Sequence, residues 1–176
     1  MRRRSDERHE SRFAQFFRAH YLPAVGLTQW RAPGSDAEAI VAEAFLVAWQ
    51  RALAGEELSV PWFYRTLRNK IGDHYRSHQR RELPVDDLQP LGVDLAGDTY
   101  EEIVVNRILI YDILNDIPLK HAEPLALVYG CDLSQQDAAK ALGISHGALR
   151  KRLERARVVF ASKVEQIHPE LAVEEG

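Results

Sequence analysis

Five cations crowd one short segment of this chain, Arg150, Lys151, Arg152, Arg155 and Arg157, with Ser145 and His146 just ahead of them. Side chains of this kind do binding chemistry rather than bond-breaking chemistry. Arginine and lysine pair with guanine acceptors in the major groove of a duplex, and with phosphate oxygens at its edge. Arg150 and Lys151 are placed to project into such a groove, with His146 at the helix start where residues meet base edges. Arg152, Arg155 and Arg157 are placed for phosphates, which give affinity without sequence. Catalytic constellations find little support. His74 and His78 stand at i and i+4, a spacing that can hold zinc, but no Glu follows His74 and no third ligand is apparent. Arg76, Arg80 and Arg81 nearby would repel a cation. Neither a Gly-x-Ser-x-Gly elbow nor a phosphate-binding glycine loop occurs. The expectation is a protein that is not an enzyme, with no metal and no cofactor.

The elements around the cations are those of a helix-turn-helix. Ser134 can cap a first short helix, with Asp137 near its positive end. Ala138, Ala139 and Leu142 give it a small apolar face that a second helix can cross closely. Gly143 tolerates the positive φ that ends a helix. Ile144 plugs the corner, and Ser145 can cap the next helix, whose inward stripe is Leu149, Leu153 and Ala156. A second helix of this kind enters the DNA major groove. The competing reading is an ordinary helical hairpin with a solvated basic face. The turn, both caps and the charge placement agree on the helix-turn-helix.

A second cationic group lies earlier, where Trp62, Phe63 and Tyr64 precede Arg65, Arg68, Asn69, Lys70, Arg76, Arg80 and Arg81. Three consecutive aromatics cannot all face a core, and an exposed ring can stack on an unpaired base for roughly 1–3 kcal/mol. Trp62 and Tyr64 are the candidates for strand capture, with core packing the alternative for Trp62. Arg65, Arg68, Arg76, Arg80 and Arg81 would track a backbone, and Asn69 offers donor and acceptor to a base or sugar. A third polar group, Asp36, Glu38 and Glu43, suits a basic partner surface or plain solvation.

Net charge is −3, so no global basic field argues for nucleic acid. The distribution does. Residues 62–81 hold six Arg or Lys against one Asp, 82–102 hold seven acids and no base, and 146–163 again hold six bases against one Glu. Two basic patches flank an acidic strip. Hydrophobic content of 45% and charged content of 28% fit a soluble globular chain. The lone Cys131 can form no intrachain disulfide, which suits a reducing cytoplasm; it reads as a small core residue, with a redox sensor as the alternative. Arg2-Arg3-Arg4 is followed by no apolar stretch, so neither export nor membrane insertion is expected.

Helical spacing of Phe13, Phe16, Phe17, His20 and Tyr21 predicts a first helix over about 10–25. Ser35-Asp36-Ala37-Glu38 is a capping-box pattern opening a second, with Ala37, Ile40, Val41, Ala44, Phe45, Ala48, Trp49 and Ala52 inward. Pro61 opens a third reaching about His78, with Phe63, Leu67, Ile71 and Tyr75 inward. Residues 82–98 read as an extended, mobile linker. A capping box at Thr99-Tyr100-Glu101-Glu102 starts a helix burying Ile103, Val104, Leu109, Ile113 and Leu114, stopped by Ile117-Pro118. Another covers roughly 120–130, where Pro124 is tolerable only in the first turn, and the last helix reaches about Val164. The fold expected is all-α: a helical domain over 1–81, an acidic flexible linker over 82–98, and a helix-turn-helix domain over 99–176.

The order of these features resembles bacterial sigma factors of the extracytoplasmic-function group, in which domains called sigma-two and sigma-four are joined by a linker. Asp36-Ala-Glu-Ala-Ile-Val-Ala-Glu-Ala-Phe-Leu-Val-Ala-Trp49 resembles the core-binding helix of sigma-two, and Trp62 through Arg76 its promoter-melting helix, with Trp62, Asn69, Asp73 and Arg76 at the family's places. Ile117-Pro118 through Arg157 resembles sigma-four, most specifically Gly143-Ile-Ser and Leu149 through Arg157. Two departures stand out: the family usually carries an acid at 39 and Gln at 42, and both are Ala here. Pro124 is also unusual.

The resemblance implies a promoter-specificity subunit that binds core RNA polymerase, at the β′ clamp and the β flap. It would read promoter DNA, the minus-thirty-five element with the last helix and the minus-ten element with the third. Loop 54–61 would hold a flipped base, and the acidic linker would thread the RNA exit channel. An anti-sigma factor is implied as a further partner. Two rivals remain: a helix-turn-helix regulator that acts without core polymerase, and a sigma-like chain that only sequesters partners.

Overall fold

The computed structural model describes residues 2–78, 111 and 113–167, with backbone alone at 2–8, 78 and 167. The expected linker over 82–98, Arg80 and Arg81, and the helix start at Thr99 with Ile103, Val104 and Leu109 lie outside the described residues. The chain divides into two compact units, Met1–Pro90 and Leu91–Gly176, and among the described residues regular structure is all helical.

In the first unit, α1 (Arg2–Arg31), α2 (Ala37–Leu53) and α3 (Val60–His78) pack on one another. Helix α1 is longer than its apolar spacing predicts and runs through Pro23. Proline gives up one backbone donor, and the carbonyl that loses it belongs to Ala19, an exposed residue. Thr28 is buried, but its hydroxyl donates to the Ala24 carbonyl at 2.8 Å. Helix α2 is capped by Asp36, whose side chain accepts from the Ala39 N–H at 2.9 Å. The capping-box reading had put Ser35 there; instead its hydroxyl donates to the Ala32 carbonyl at 2.6 Å, closing the end of α1. The buried residues of α2 are Ala37, Ile40, Val41, Ala44, Phe45, Ala48 and Ala52, and Trp49 is half-buried. Rings from all three helices meet at the centre: Phe45 and Phe63 lie 4.5 Å apart, and Phe16 meets Phe63 edge-on at 5.3 Å. Such pairs add about 0.5–1.5 kcal/mol to the burial of their area.

Phe63, Leu67 and Ile71 of α3 are fully buried, but Tyr75 is 43% exposed, against expectation. Each i+4 step advances about 40° round a helix, so the fourth member of the stripe has drifted about 120° from the first.

In the second unit, Ile113, Leu114 and Ile117 are buried ahead of Pro118. Helix α4 (Leu119–Leu125) passes directly into a π-helical turn, Ala126–Gly130. Pro124 falls in the last turn of α4 rather than the first, buried. It can give no hydrogen bond back along the helix, and the wider turn follows at once: the Cys131 N–H donates to the Ala126 carbonyl at 2.9 Å, five residues back. Gly130 faces Tyr111; a β-carbon there would lie 2.9 Å from the tyrosine Oη. Cys131 is buried. Helices α5 (Gln135–Leu142) and α6 (His146–Ile167) complete the unit, α6 packing on both α4 and α5. The buried face of α5 is Ala138, Ala139 and Ala141; Leu142, expected inward, is half-buried.

Candidate nucleic-acid interface

Local chemistry sets the helix-turn-helix. The Ser134 hydroxyl accepts from the Asp137 N–H and the Ser145 hydroxyl from the Ala148 N–H, each at 3.1 Å. Gly143 lies at φ 67°, and the Gly143 and Ile144 N–H groups return to the carbonyls of Lys140 and Ala139. Leu149, Leu153 and Ala156 are buried, which fixes the rotation of α6. The rest of the helix surface therefore presents His146, Arg150, Lys151, Arg155 and Arg157, all exposed like Ser145 at the cap, while Arg152 is half-buried. Arg150 and Arg157 are seven residues apart and share a face. Glu154, exposed, falls between them, and the charge pattern gave no reason to single it out. His121 of α4 lies close to this helix. Burial first, then the charges of Lys120, Arg155 and Arg152, hold its imidazole below the usual histidine range.

Tyr129, which the sequence reading passed over, is 51% exposed and accepts a hydrogen bond from the Arg157 guanidinium. Arg157 also sits 5.6 Å from the centroid of that ring.

In the first unit, Trp62, Arg65, Asn69 and Arg76 fall on one face of α3. Arg65, Asn69 and Arg76 are exposed, Trp62 and Arg68 half-buried, and Arg76 pairs with Asp73. Tyr64 does not belong to this group. It is fully buried, with His20 Nδ1 at 3.3 Å from its hydroxyl, so its ring cannot reach a base. Of the three consecutive aromatics Trp62 is the one left near the surface, and the Arg51 guanidinium covers one of its faces at 4.3 Å. Arg51 also pairs with Glu56 in loop 54–59. A cleft of about 470 Å³ separates that loop from α1, lined by His9, Arg12 and Phe16 on one side and Gly55 to Leu58 on the other.

The acidic group on α2 is spoken for in part. Asp36 caps its own helix, Glu43 accepts from Lys70 Nζ of α3 at 3.0 Å, and Glu38 is half-buried. Ala39, Ala42 and Leu46 lie exposed on the same side. Among the described residues, no group of three or more His, Cys, Asp or Glu could hold a metal, and no helix is long and apolar enough to cross a membrane.

The second unit thus has the architecture of a major-groove-binding helix-turn-helix, joined in sequence to a separate three-helix unit. Residues 107–158 match the family described as Sigma-70, region 4. The chain is 31% identical over 151 residues to a probable RNA polymerase sigma factor RfaY of Xanthomonas campestris, covering 81% of this chain and 37% of that one. It is 29% identical over 164 residues to the RNA polymerase sigma factor NccH of Alcaligenes xylosoxydans, covering 88% of each. Among solved structures it resembles CnrH, determined in complex with the cytosolic domain of CnrY (TM-score 0.62, 19% identity, 89% of this chain and 90% of that one). It also resembles RpoE of Bartonella quintana, crystallised with the anti-sigma factor NepR (TM-score 0.59, 20% identity, 93% and 98%). Over residues 107–158 the chain carries the sigma-70 region 4 pattern, and the proteins it is similar to over most of its length are RNA polymerase sigma factors. It spans little more than a third of the Xanthomonas relative's length and most of that of the Alcaligenes relative.

Proposed function

We propose that this chain is a promoter-specificity subunit of bacterial RNA polymerase, acting in the cytoplasm without catalysis of its own. The observation that carries the reading is the capped helix-turn-helix at 134–156, its basic arc exposed, within the span that matches sigma-70 region 4. Arg150 and Lys151, with Ser145 and His146, read the minus-thirty-five element, while Arg152, Arg155 and Arg157 hold phosphates. On α3, Trp62, Arg65, Arg68, Asn69 and Arg76 take the minus-ten strand, continued by Arg80 and Arg81. Residues 1–81 act as the sigma-two module, 82–98 as the acidic tether and 99–176 as the sigma-four module. Core polymerase is bound through the β′ clamp and the β flap, and an anti-sigma factor controls access. Run-off transcription with a cognate core enzyme and a promoter library tests the proposal; absence of any initiation would defeat it.

A second reading has one observation in its favour. Ala39 and Ala42 are exposed, and Asp36 and Glu43 are engaged within the chain, so α2 offers a basic surface less charge than the family pattern would. A chain that sequesters a partner without opening DNA would capture core enzyme in a pull-down and still yield no transcript.

A further inference from the structure

We infer that Tyr129 and Arg157 together form a phosphate clamp beside the recognition helix, in which Tyr129 is a DNA-backbone contact in its own right. The inference rests on the proposed promoter-binding role of α6 and adds a residue from outside the helix-turn-helix.

The chemistry follows from who donates. The Arg157 guanidinium donates to the Tyr129 oxygen and lies over its ring at 5.6 Å. A phenol that accepts in this way keeps its own O–H hydrogen to give elsewhere, and a guanidinium has five N–H donors. The pair therefore converges donors on solvent. Both residues are exposed, and Arg157 meets no carboxylate among the described residues. Converging donors on a cationic centre fit an oxyanion, and beside a helix that reads DNA that oxyanion is a backbone phosphate.

Position agrees with that chemistry. Arg157 stands seven residues beyond Arg150, on the same face of α6 and about 10 Å further along its axis. A duplex engaged by Arg150 carries its phosphates past that point. Tyr129 is aimed there by backbone rather than by chance of rotamer. The π-helical turn closes on Cys131, the Leu133 N–H returns to the Leu127 carbonyl at 3.1 Å, and Gly130 is locked beneath Tyr111. With Leu127 and Gly130 buried, Tyr129 has only the solvent side to occupy. Turns of this kind recur at functional sites.

The test uses the full chain and a duplex of arbitrary sequence at low salt, because phosphate contacts do not depend on sequence. Tyr129→Phe keeps the ring and the cation–π contact and removes only the hydroxyl. It is expected to weaken binding about three- to tenfold. Its salt slope stays unchanged, since no charge is lost. Arg157→Ala is expected to lower that slope by about 0.9. In the Arg157→Ala background, Tyr129→Phe should cost less than it does alone. Thermal unfolding of Tyr129→Phe should match the parent, since the hydroxyl serves no core. Parental affinity in Tyr129→Phe, or a loss that tracks a lowered unfolding temperature, overturns the clamp. Failure of the parent chain and core enzyme to start transcription overturns the promoter-binding role instead.

Discussion

The Arg51 guanidinium lies 4.3 Å from the centroid of the Trp62 ring and pairs with Glu56, so one side chain at the end of α2 grips both the start of α3 and the loop between them. Arg51→Ala should release both. We expect a loss of about 1 kcal/mol in stability, the scale of a cation–π contact, and a shift in the tryptophan emission of the chain. Slower open-complex formation should follow, measured by permanganate reactivity of the melted strand. An unaltered opening rate would show that the grip serves only packing.

His20 predicts a pH effect. Burial lowers its pKa below the ordinary 6.5, with the Tyr64 hydroxyl as its neighbour. Protonation therefore favours the unfolded chain. The stabilisation is complete above about pH 6.5 and declines as pH falls through the depressed folded-state value. His20→Gln should flatten the fall in unfolding temperature between about pH 7 and 5 relative to the parent. A parallel pair of curves would contradict it.

Gly143 has φ 67° and open space where a β-carbon would go, so a substitution meets strain in the backbone and nothing else. Gly143→Ala is expected to cost about 1–2 kcal/mol, with Asn better tolerated at the same place. Chemical denaturation of the three proteins checks the order.

Roles within α6 should separate. Arg150→Ala or Lys151→Ala should change which promoters are used, and Arg155→Ala should weaken all of them alike. Selection from a randomised minus-thirty-five library reads this directly. Identical sequence preferences in all three variants would remove the distinction between base and phosphate contacts.

Leu149 and Leu153 hold α6 against its neighbours. Either Leu→Ala change should destabilise the second unit by about 2–5 kcal/mol. Hydrogen exchange at the α5 and α6 amides should rise accordingly.

What could be read from the residues divides along a physical line. The helix-turn-helix was legible because Ser134, Gly143 and Ser145 act on backbone groups within three or four residues of themselves, so their roles do not depend on the rest of the fold. The cap of α2 was less so: Ser35 and Asp36 are both able, and only the path of the chain leaving α1, which takes the Ser35 hydroxyl to Ala32, chooses between them. Tyr64 and Tyr75 were misassigned for a related reason. Spacing along α3 says which residues align, but the width of the arc covered by α1 and α2, and the presence of His20 opposite Tyr64, are tertiary facts. The π-helical turn, and with it Tyr129, had no signal beyond the misplaced Pro124.

That turn has a consequence for chain length. It holds one residue more than a regular helix would use over the same rise. Deleting one of residues 126–130 would restore a regular turn over the same rise, so the chain beyond it would keep its bearing and only the side chains inside the turn would change theirs. Leu133 and the cap at Ser134 would then keep their seats, while Tyr129 lost its own. The extra residue therefore serves the turn itself, and through it the outward tyrosine, rather than the path of the chain downstream.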